Sequence, residues 1–271
     1  MSLLIKRGIS SISNAQSLRK NASKVVCIGR NFADHITELK SATPKKPFFF
    51  LKPPSSILLP GEGPIIRPKG VVLHHEVELA LIIGKNLKDL EEKNAQEAFD
   101  AIQSMFSTYS HELHFFFSTA TRLLIILGYA LCIDMTARNI QDEAKKKGLP
   151  WSIAKGFDTF LPISNVIPKS AIPDPHNIEL YLHVNDELKP RQHDSTNLFL
   201  FQIPRILAHI SKVFTLEAGD IVITGTPKGV GPVTPGDIIS AGITVNGKDL
   251  EDAKIRVKIE ESTSTYDFNE I

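Results

Sequence analysis

The chain has 271 residues, 42% of them hydrophobic and 23% charged, which is too apolar for a disordered chain and too polar for a multi-span membrane protein. Thirty-one basic against thirty acidic side chains leave a net charge of +1, so the composition argues for neither a nucleic-acid partner nor an acidic tail. Only two cysteines occur, Cys27 and Cys132, each inside an apolar run; they read as reduced core thiols, and a thiolate zinc site is excluded.

The N-terminal segment is serine-rich and carries Lys6, Arg7, Arg19, Lys20, Lys24 and Arg30 with no acidic residue before Asp34. That pattern predicts a mitochondrial transit peptide over residues 1–23, the alternative being a disordered leader on a cytoplasmic protein. A single catalytic domain is expected over 24–271. It opens with a strand in KVVCIGR, a polar helix or lid in NFADHITELKSA and a strand in PFFFLK, closed by Pro53, Pro54 and Pro60. VVLHHEVELALIIG reads as one long strand ending at Gly84, and residues 89–102 have helix-forming composition.

Residues 103–127 break the pattern, with one Glu, one Arg and a crowd of aromatic and aliphatic side chains. The run from Leu113 is long enough to span a bilayer, but Arg122 in its middle would cost about 2.5–3.5 kcal/mol. A buried helix is the plain reading, and an atypical insertion from a retained intron is the other. Ser104-Met-Phe, Leu123-Leu-Ile and Leu127-Gly128 can encode the donor, branch-point and acceptor signals of a short intron, and the 24 codons between Ser104 and Gly128 keep frame. Beyond it, GYALCID reads as a short buried strand and TARNIQDEAKKKG as a helix stopped by Gly148 and Pro150. Segments 178–184, 220–224 and 253–259 read as strands, with tight turns at Asn185-Asp186 and Asn246-Gly247. Strands outnumber helices without regular βαβ alternation, which predicts a mainly β, mixed sandwich or roll with some helices.

In HHEVEL, period two puts Glu76 and Glu78 on one strand face, roughly 6.5–7 Å apart at the backbone, with His74 beside them. Acids in so apolar a strand are costly to bury without a compensating cation, although a solvated pair on an edge strand fits equally well. Asp134, at the end of GYALCID, adds a third carboxylate. Three oxygen ligands favour a hard ion, Mg²⁺ with Mn²⁺ as the alternative. Neither H-E-x-x-H, a P-loop nor G-x-G-x-x-G is present. Lys145, Lys146 and Lys147 read as a solvated helix end favoured by the helix dipole.

GRNFADHITEL, FLKP, HHEVELALIIG, ALCIDMTARNIQDEAKKKGLPWSIAKGFD and GDIVITGTPKGVGP together resemble the fumarylacetoacetate hydrolase family, in its acylpyruvase and oxaloacetate decarboxylase branch. The resemblance implies a mixed β-sandwich roll of the family's C-terminal-domain type, a homodimer, and Mg²⁺ held by Glu76, Glu78 and Asp134. It implies Lys155 beside the metal, a His35–Glu38 dyad on a lid, and Arg138, Gln141 and Thr226 as substrate-contacting or supporting positions; Arg30 is expected to join Lys155 and Arg138 in offsetting the negative charge of the trio and an anionic substrate. It further implies cleavage of a C–C bond beside a 2-keto acid, by hydrolysis of acylpyruvates or decarboxylation of oxaloacetate, with keto–enol tautomerisation of oxaloacetate at the same metal site as the alternative; the partner is a small 2-keto acid, with no nucleic acid or membrane. An inactive metal-binding scaffold is the reading if the 103–127 insertion disrupts the site. Phe32 stands where the family commonly has tyrosine, so any phenolic hydrogen bond there is lost.

Overall fold

The structure, a computed structural model, describes residues 16–38, 42–94 and 126–268. The insertion with its membrane-span and intron readings lies outside the described residues up to position 125, as does the 89–102 helix beyond residue 94.

One six-stranded sheet runs in the order β10 (Ile167–Pro168), β7 (Ile126–Ile133), β6 (Val77–Ile83), β13 (Ile221–Ile223), β1 (Val25–Gly29), β2 (Phe48–Lys52). Its pairings are antiparallel except β1 against β13. The second sheet runs β12 (Gln192–Ser195), β11 (Glu179–Val184), β15 (Ile238–Val245), β17 (Ile255–Glu261), β4 (Ile65–Arg67), with β16 (Lys248–Asp249) hairpinned onto β15. That hairpin turns at Asn246 and Gly247, both at positive φ, as the Asn-Gly pair predicts. A small sheet, β14 (Gly231–Val233), β5 (Leu73–His75) and β8 (Thr136–Ala137), and a pair of β3 (Ile57–Leu58) with β9 (Leu161–Pro162) close the ends.

The alternation along β6 explains the layering. Val77, Leu79, Leu81 and Ile83 join Leu180, Leu182, Ile239 and Ile243 of the second sheet in the main core. Ala80 and Ile82 face the opposite way, against Cys27, Ala130 and Cys132 and Leu18 and Ala22 of the N-terminal helix segment. All seven residues of β6 are buried, so the strand is central and covered on both faces, not an edge. Each fully buried aliphatic side chain in it contributes about 1.5–3 kcal/mol. The two thiols are buried and unpaired, and burial pushes both well above the ordinary cysteine range.

Three boundaries differ from the sequence reading. The expected single strand over 71–84 is two strands, β5 and β6, interrupted at Glu76. There the chain turns its hydrogen bonds to other partners: Glu76 C=O accepts from Asp134 N–H at 2.8 Å, and Val77 N–H donates to Gln192 Oε1 at 3.0 Å. β7 begins at Ile126, paired with Ile83, so the last two residues assigned to the insertion belong to the sheet. The leader also overlaps the packed chain: α1 (Gln16–Asn21) buries Leu18, and Arg19 forks onto Glu62 with two 2.8 Å bonds. α3 (Arg138–Lys147) matches its predicted stop, with Gly148 in the left-handed region donating to the carbonyls of Ala144 and Lys145.

Asp220, with no exposed side-chain surface, ties the start of β1 to the turn before β13. It accepts from Ser23 N–H at 3.0 Å, Lys24 N–H at 3.1 Å and Glu217 N–H at 2.8 Å, and pairs with Lys24 Nζ at 2.6 Å. Burial works to raise its pKa, but Lys24, the Glu217 N–H and Ser23 outweigh it and hold the carboxyl below its ordinary value. A depressed folded pKa means stability present above the unfolded value and lost as pH falls below about 4. Asp220→Asn is expected to cost about 3 kcal/mol in urea unfolding at pH 7 and to flatten the acid limb below pH 4. An unchanged midpoint would contradict that role.

Candidate active site

Glu76 occupies the break between β5 and β6, Glu78 follows on β6, and Asp134 lies just past β7. All three are buried, and one carboxylate oxygen from each lies within 4.8 Å of the others. They line a cleft open to solvent. Adjacent strands therefore bring the predicted trio together: β6 pairs with β7, and the backbone bond between Asp134 and Glu76 fixes the offset.

Buried acids this close repel one another, and the surrounding cations set how each responds. Lys155, at the end of α4 (Ser152–Lys155), places Nζ 2.9 Å from Glu76 Oε2 and 2.6 Å from Asp134 Oδ2. Arg138 Nη2 donates to Glu76 Oε1 at 2.6 Å while Nη1 donates to Gln141 Oε1 at 2.6 Å. Burial would raise the Glu76 pKa, but Lys155, Arg138 and His35 outweigh it and hold the carboxyl well below its ordinary range. Glu78 goes the other way: burial, then the charges of Asp134 and Glu76, push it well above its ordinary value despite a 2.6 Å bond from Gly225 N–H. Burial lowers Lys155, yet Asp134 and Glu76 raise it further. An all-oxygen donor set, buried and short of positive charge at Glu78, fits a hard divalent cation.

His35 sits on α2 (Ala33–Glu38), whose one turn puts Glu38 on the same face; Nδ1 lies 3.1 Å from Glu38 Oε2. A carboxylate only accepts here, so Nδ1 carries the proton and Nε2 is the basic nitrogen. Glu38 is itself anchored by Gly229 N–H at 3.1 Å, and Lys228 ties Asp34 of the same helix at 2.7 Å. His35 lines the cleft; Glu38 does not, and touches it only through His35.

Thr226 also lines the cleft, behind which runs a buried polar chain that sequence reading left unassigned. His75 Nδ1–H donates to Gln192 Oε1 at 2.9 Å, and Gln192 Nε2 donates to Thr226 Oγ1 at 2.8 Å and to Pro227 C=O at 2.9 Å. The Thr226 hydroxyl then donates to Val77 C=O at 2.9 Å. Gln192 thus serves both the strand break beside Glu76 and the orientation of Thr226. Gln192→Met keeps the volume but strands those groups, and is expected to cost about 2–3 kcal/mol in denaturant unfolding and to raise KM. Rescue of both by Gln192→Glu would argue against amide donation to Thr226.

Of the residues predicted from sequence, Arg30, His35, Glu76, Glu78, Asp134, Arg138, Gln141, Lys155 and Thr226 all line one cleft. Lys52 was missed. Its ammonium is fully buried, 2.9 Å from Asp134 Oδ1, and donates to Met135 C=O at 3.1 Å and to Lys155 C=O. Period two in FFFLK places Lys52 on the face of Phe48 and Phe50, which line the cleft, and that was its only sequence signal. Lys145 stands exposed in the last turn of α3, as the solvated-end reading has it, and also lines the cleft. Phe32 is buried edge-on against Phe199 with centroids 5.1 Å apart, so an apolar contact stands where a phenol was expected.

Comparison with known proteins agrees with this geometry. The family profile described as fumarylacetoacetate (FAA) hydrolase C-terminal matches residues 24–106 and 117–257. A mitochondrial oxaloacetate tautomerase of Schizosaccharomyces pombe is 48% identical over 240 residues, 88% of this chain and 97% of that protein. A mitochondrial oxaloacetate decarboxylase of Dictyostelium discoideum is 43% identical, covering 84% of this chain and 92% of its own. Among solved structures, a yeast fumarylacetoacetate hydrolase family protein superposes with a TM-score of 0.73 at 37% identity, over 93% of this chain and 98% of that one. Fumarylpyruvate hydrolase from Pseudomonas aeruginosa, in complex with Mn²⁺ and pyruvate, gives 0.70 at 28% identity, over 89% and 91%. The chain belongs to the fumarylacetoacetate hydrolase family, and it is an enzyme.

Proposed function

We propose that the enzyme interconverts the keto and enol forms of oxaloacetate, with Mg²⁺ as its ion and Mn²⁺ as a substitute. The observation that carries this reading is the pairing, across one cleft, of a buried carboxylate trio with an imidazole whose proton is fixed on the far nitrogen. Glu76, Glu78 and Asp134 would hold the cation, which when bound supplies Lewis acidity toward the carboxylate and 2-keto oxygens of the substrate. Lys155, Lys52 and Arg138 fix the orientation of Asp134 and Glu76. His35 Nε2 takes the C3 proton, Glu38 stabilises the imidazolium, and the proton is returned to the C2 oxygen; no C–C bond breaks.

Charge counting supports a dianionic substrate. The three carboxylates are met by the three cations Lys52, Lys155 and Arg138, so a divalent ion leaves two positive charges for a dicarboxylate to cancel. The names of the S. pombe and D. discoideum relatives support oxaloacetate as substrate and a mitochondrial location. A second reading is acylpyruvate hydrolysis, in which His35 activates water toward the C4 carbonyl, the C3–C4 bond breaks and pyruvate leaves. The Mn²⁺- and pyruvate-bound fumarylpyruvate hydrolase supports it. A homodimer is part of the proposal, checked by light scattering.

The test follows loss of oxaloacetate enol absorbance in Mg²⁺ alongside pyruvate and CO₂. Fast enol loss without pyruvate is expected. Pyruvate and CO₂ in step with enol loss would replace the reading with decarboxylation, and rapid pyruvate release from acetylpyruvate would replace it with hydrolysis.

A further inference from the structure

The inner cations of the cleft are each held at 2.6–2.9 Å on a buried carboxylate, whereas of the two outer ones Arg30 has no carboxylate partner among the described residues and Lys145 has only the half-exposed Asp142 at 3.5 Å. Arg30 follows β1 with φ +61°, a left-handed backbone that costs a non-glycine residue about 1 kcal/mol or more. Its guanidinium lies 5.4 Å from the Phe48 ring centroid and has no hydrogen bond or ion pair among the described residues. Lys145, in the last turn of α3, puts Nζ 5.6 Å from the Trp151 ring centroid; Asp142, the carboxylate beside it, is half-exposed and 3.5 Å away. Its neighbour Lys147 points elsewhere and pairs with Glu143 at 2.7 Å. The two rings meet edge to face, 5.9 Å apart at 83°, so one aromatic wall carries a cation at each end. Aromatic faces orient a cation without cancelling its charge. Burial, then the charge of Arg138, holds the Lys145 ammonium below its ordinary pKa, so an arriving anion relieves a site already crowded with positive charge.

We propose that Lys145, posed on Trp151 and assisted by Arg30, receives the distal carboxylate of a 2-keto dicarboxylate and so selects dianions over monoanionic 2-keto acids. This rests on the reading of the cleft as a 2-keto acid site. The carboxylate at the reacting end faces the acid trio, and the far one reaches the aromatic wall, where a charge-assisted bond discriminates by roughly 10–100-fold.

The test is calorimetric titration of Mg²⁺-loaded protein with 3,3-difluoro-oxaloacetate, a dianion that cannot enolise, and with 2-oxobutyrate, a monoanion. Wild type is expected to bind the dianion at least about 10-fold more tightly. Lys145→Gln should erase that gap with 2-oxobutyrate affinity changed less than about twofold, and Lys145→Arg should restore most of it. A gap that survives Lys145→Gln, equal losses for both ligands, or no preference in wild type would overturn the assignment. Because binding is read without turnover, a protein that prefers the dianion yet leaves oxaloacetate enol unchanged would sink the tautomerase reading and leave this one standing.

Discussion

Asp134→Ala is expected to abolish divalent-cation uptake and to cut turnover by at least about 10³-fold, the several kcal/mol that a Lewis acid supplies. Asp134 is the one ligand contributed from outside the β5–β6 stretch, so without it Glu76 and Glu78 offer a cation only one side. The fold should survive the loss. Truncation removes the partner of Lys52 and one partner of Lys155, and leaving buried ammonium groups unpaired ordinarily costs about 3–5 kcal/mol. Two features reduce that cost here. Lys52 keeps the carbonyls of Met135 and Lys155, and Lys155 keeps Glu76. Glu78, whose carboxyl is pushed up by burial and then by Asp134 and Glu76, loses one of the two charges that disfavour its ionised form. A net loss of about 1–2 kcal/mol in urea unfolding follows. Chelator-treated Asp134→Ala that still takes up Mg²⁺ or Mn²⁺ in the calorimeter, or that turns over at the wild-type rate, would refute the ligand set.

The acid trio was legible because its signal is local. Two glutamates at period two in an apolar strand, and an aspartate where a strand ends, carry their own reason for notice. The positions of His35, Glu38, Lys155, Arg138, Gln141 and Thr226 were legible only through the extended motifs, since a histidine in a polar helix or a lysine before a glycine is by itself ordinary. What escaped reading was long-range. Lys52 ends a phenylalanine-rich strand, and only the pairing of β2 onto β1 and the approach of Asp134 bury its ammonium. The break at Glu76 is invisible in VVLHHEVELALIIG because the partners that replace its ladder bonds, Asp134 N–H and Gln192 Oε1, come from 58 and 115 residues away. Lys145 shares its composition with Lys146 and Lys147, and only Trp151, across a tight turn after Gly148, distinguishes it. The packing of Leu18 and Ala22 onto strands far along the chain was not legible for a related reason, since composition does not register it.

His35→Ala is expected to slow oxaloacetate tautomerisation and acylpyruvate cleavage by about 10²–10⁴-fold, the usual contribution of a positioned base, while leaving any oxaloacetate decarboxylation within a few-fold of wild type. The division follows from the proton inventory. Tautomerisation needs a base for the C3 hydrogen, and hydrolysis needs one for water, but loss of CO₂ breaks a C–C bond with no proton to remove. Glu38 acts through His35 and also holds the lid by the Gly229 N–H, so Glu38→Gln tests position apart from basicity. The glutamine carbonyl can keep the Gly229 bond and still accept from Nδ1–H, but it cannot stabilise an imidazolium. A loss of about 10–100-fold in kcat with KM little changed is therefore expected, because the imidazolium formed in proton transfer loses its counter-charge while the contacts that place the ring remain. An unchanged kcat in Glu38→Gln would deny the carboxylate that role. Equal loss in all three reactions for His35→Ala would remove the imidazole from proton transfer altogether.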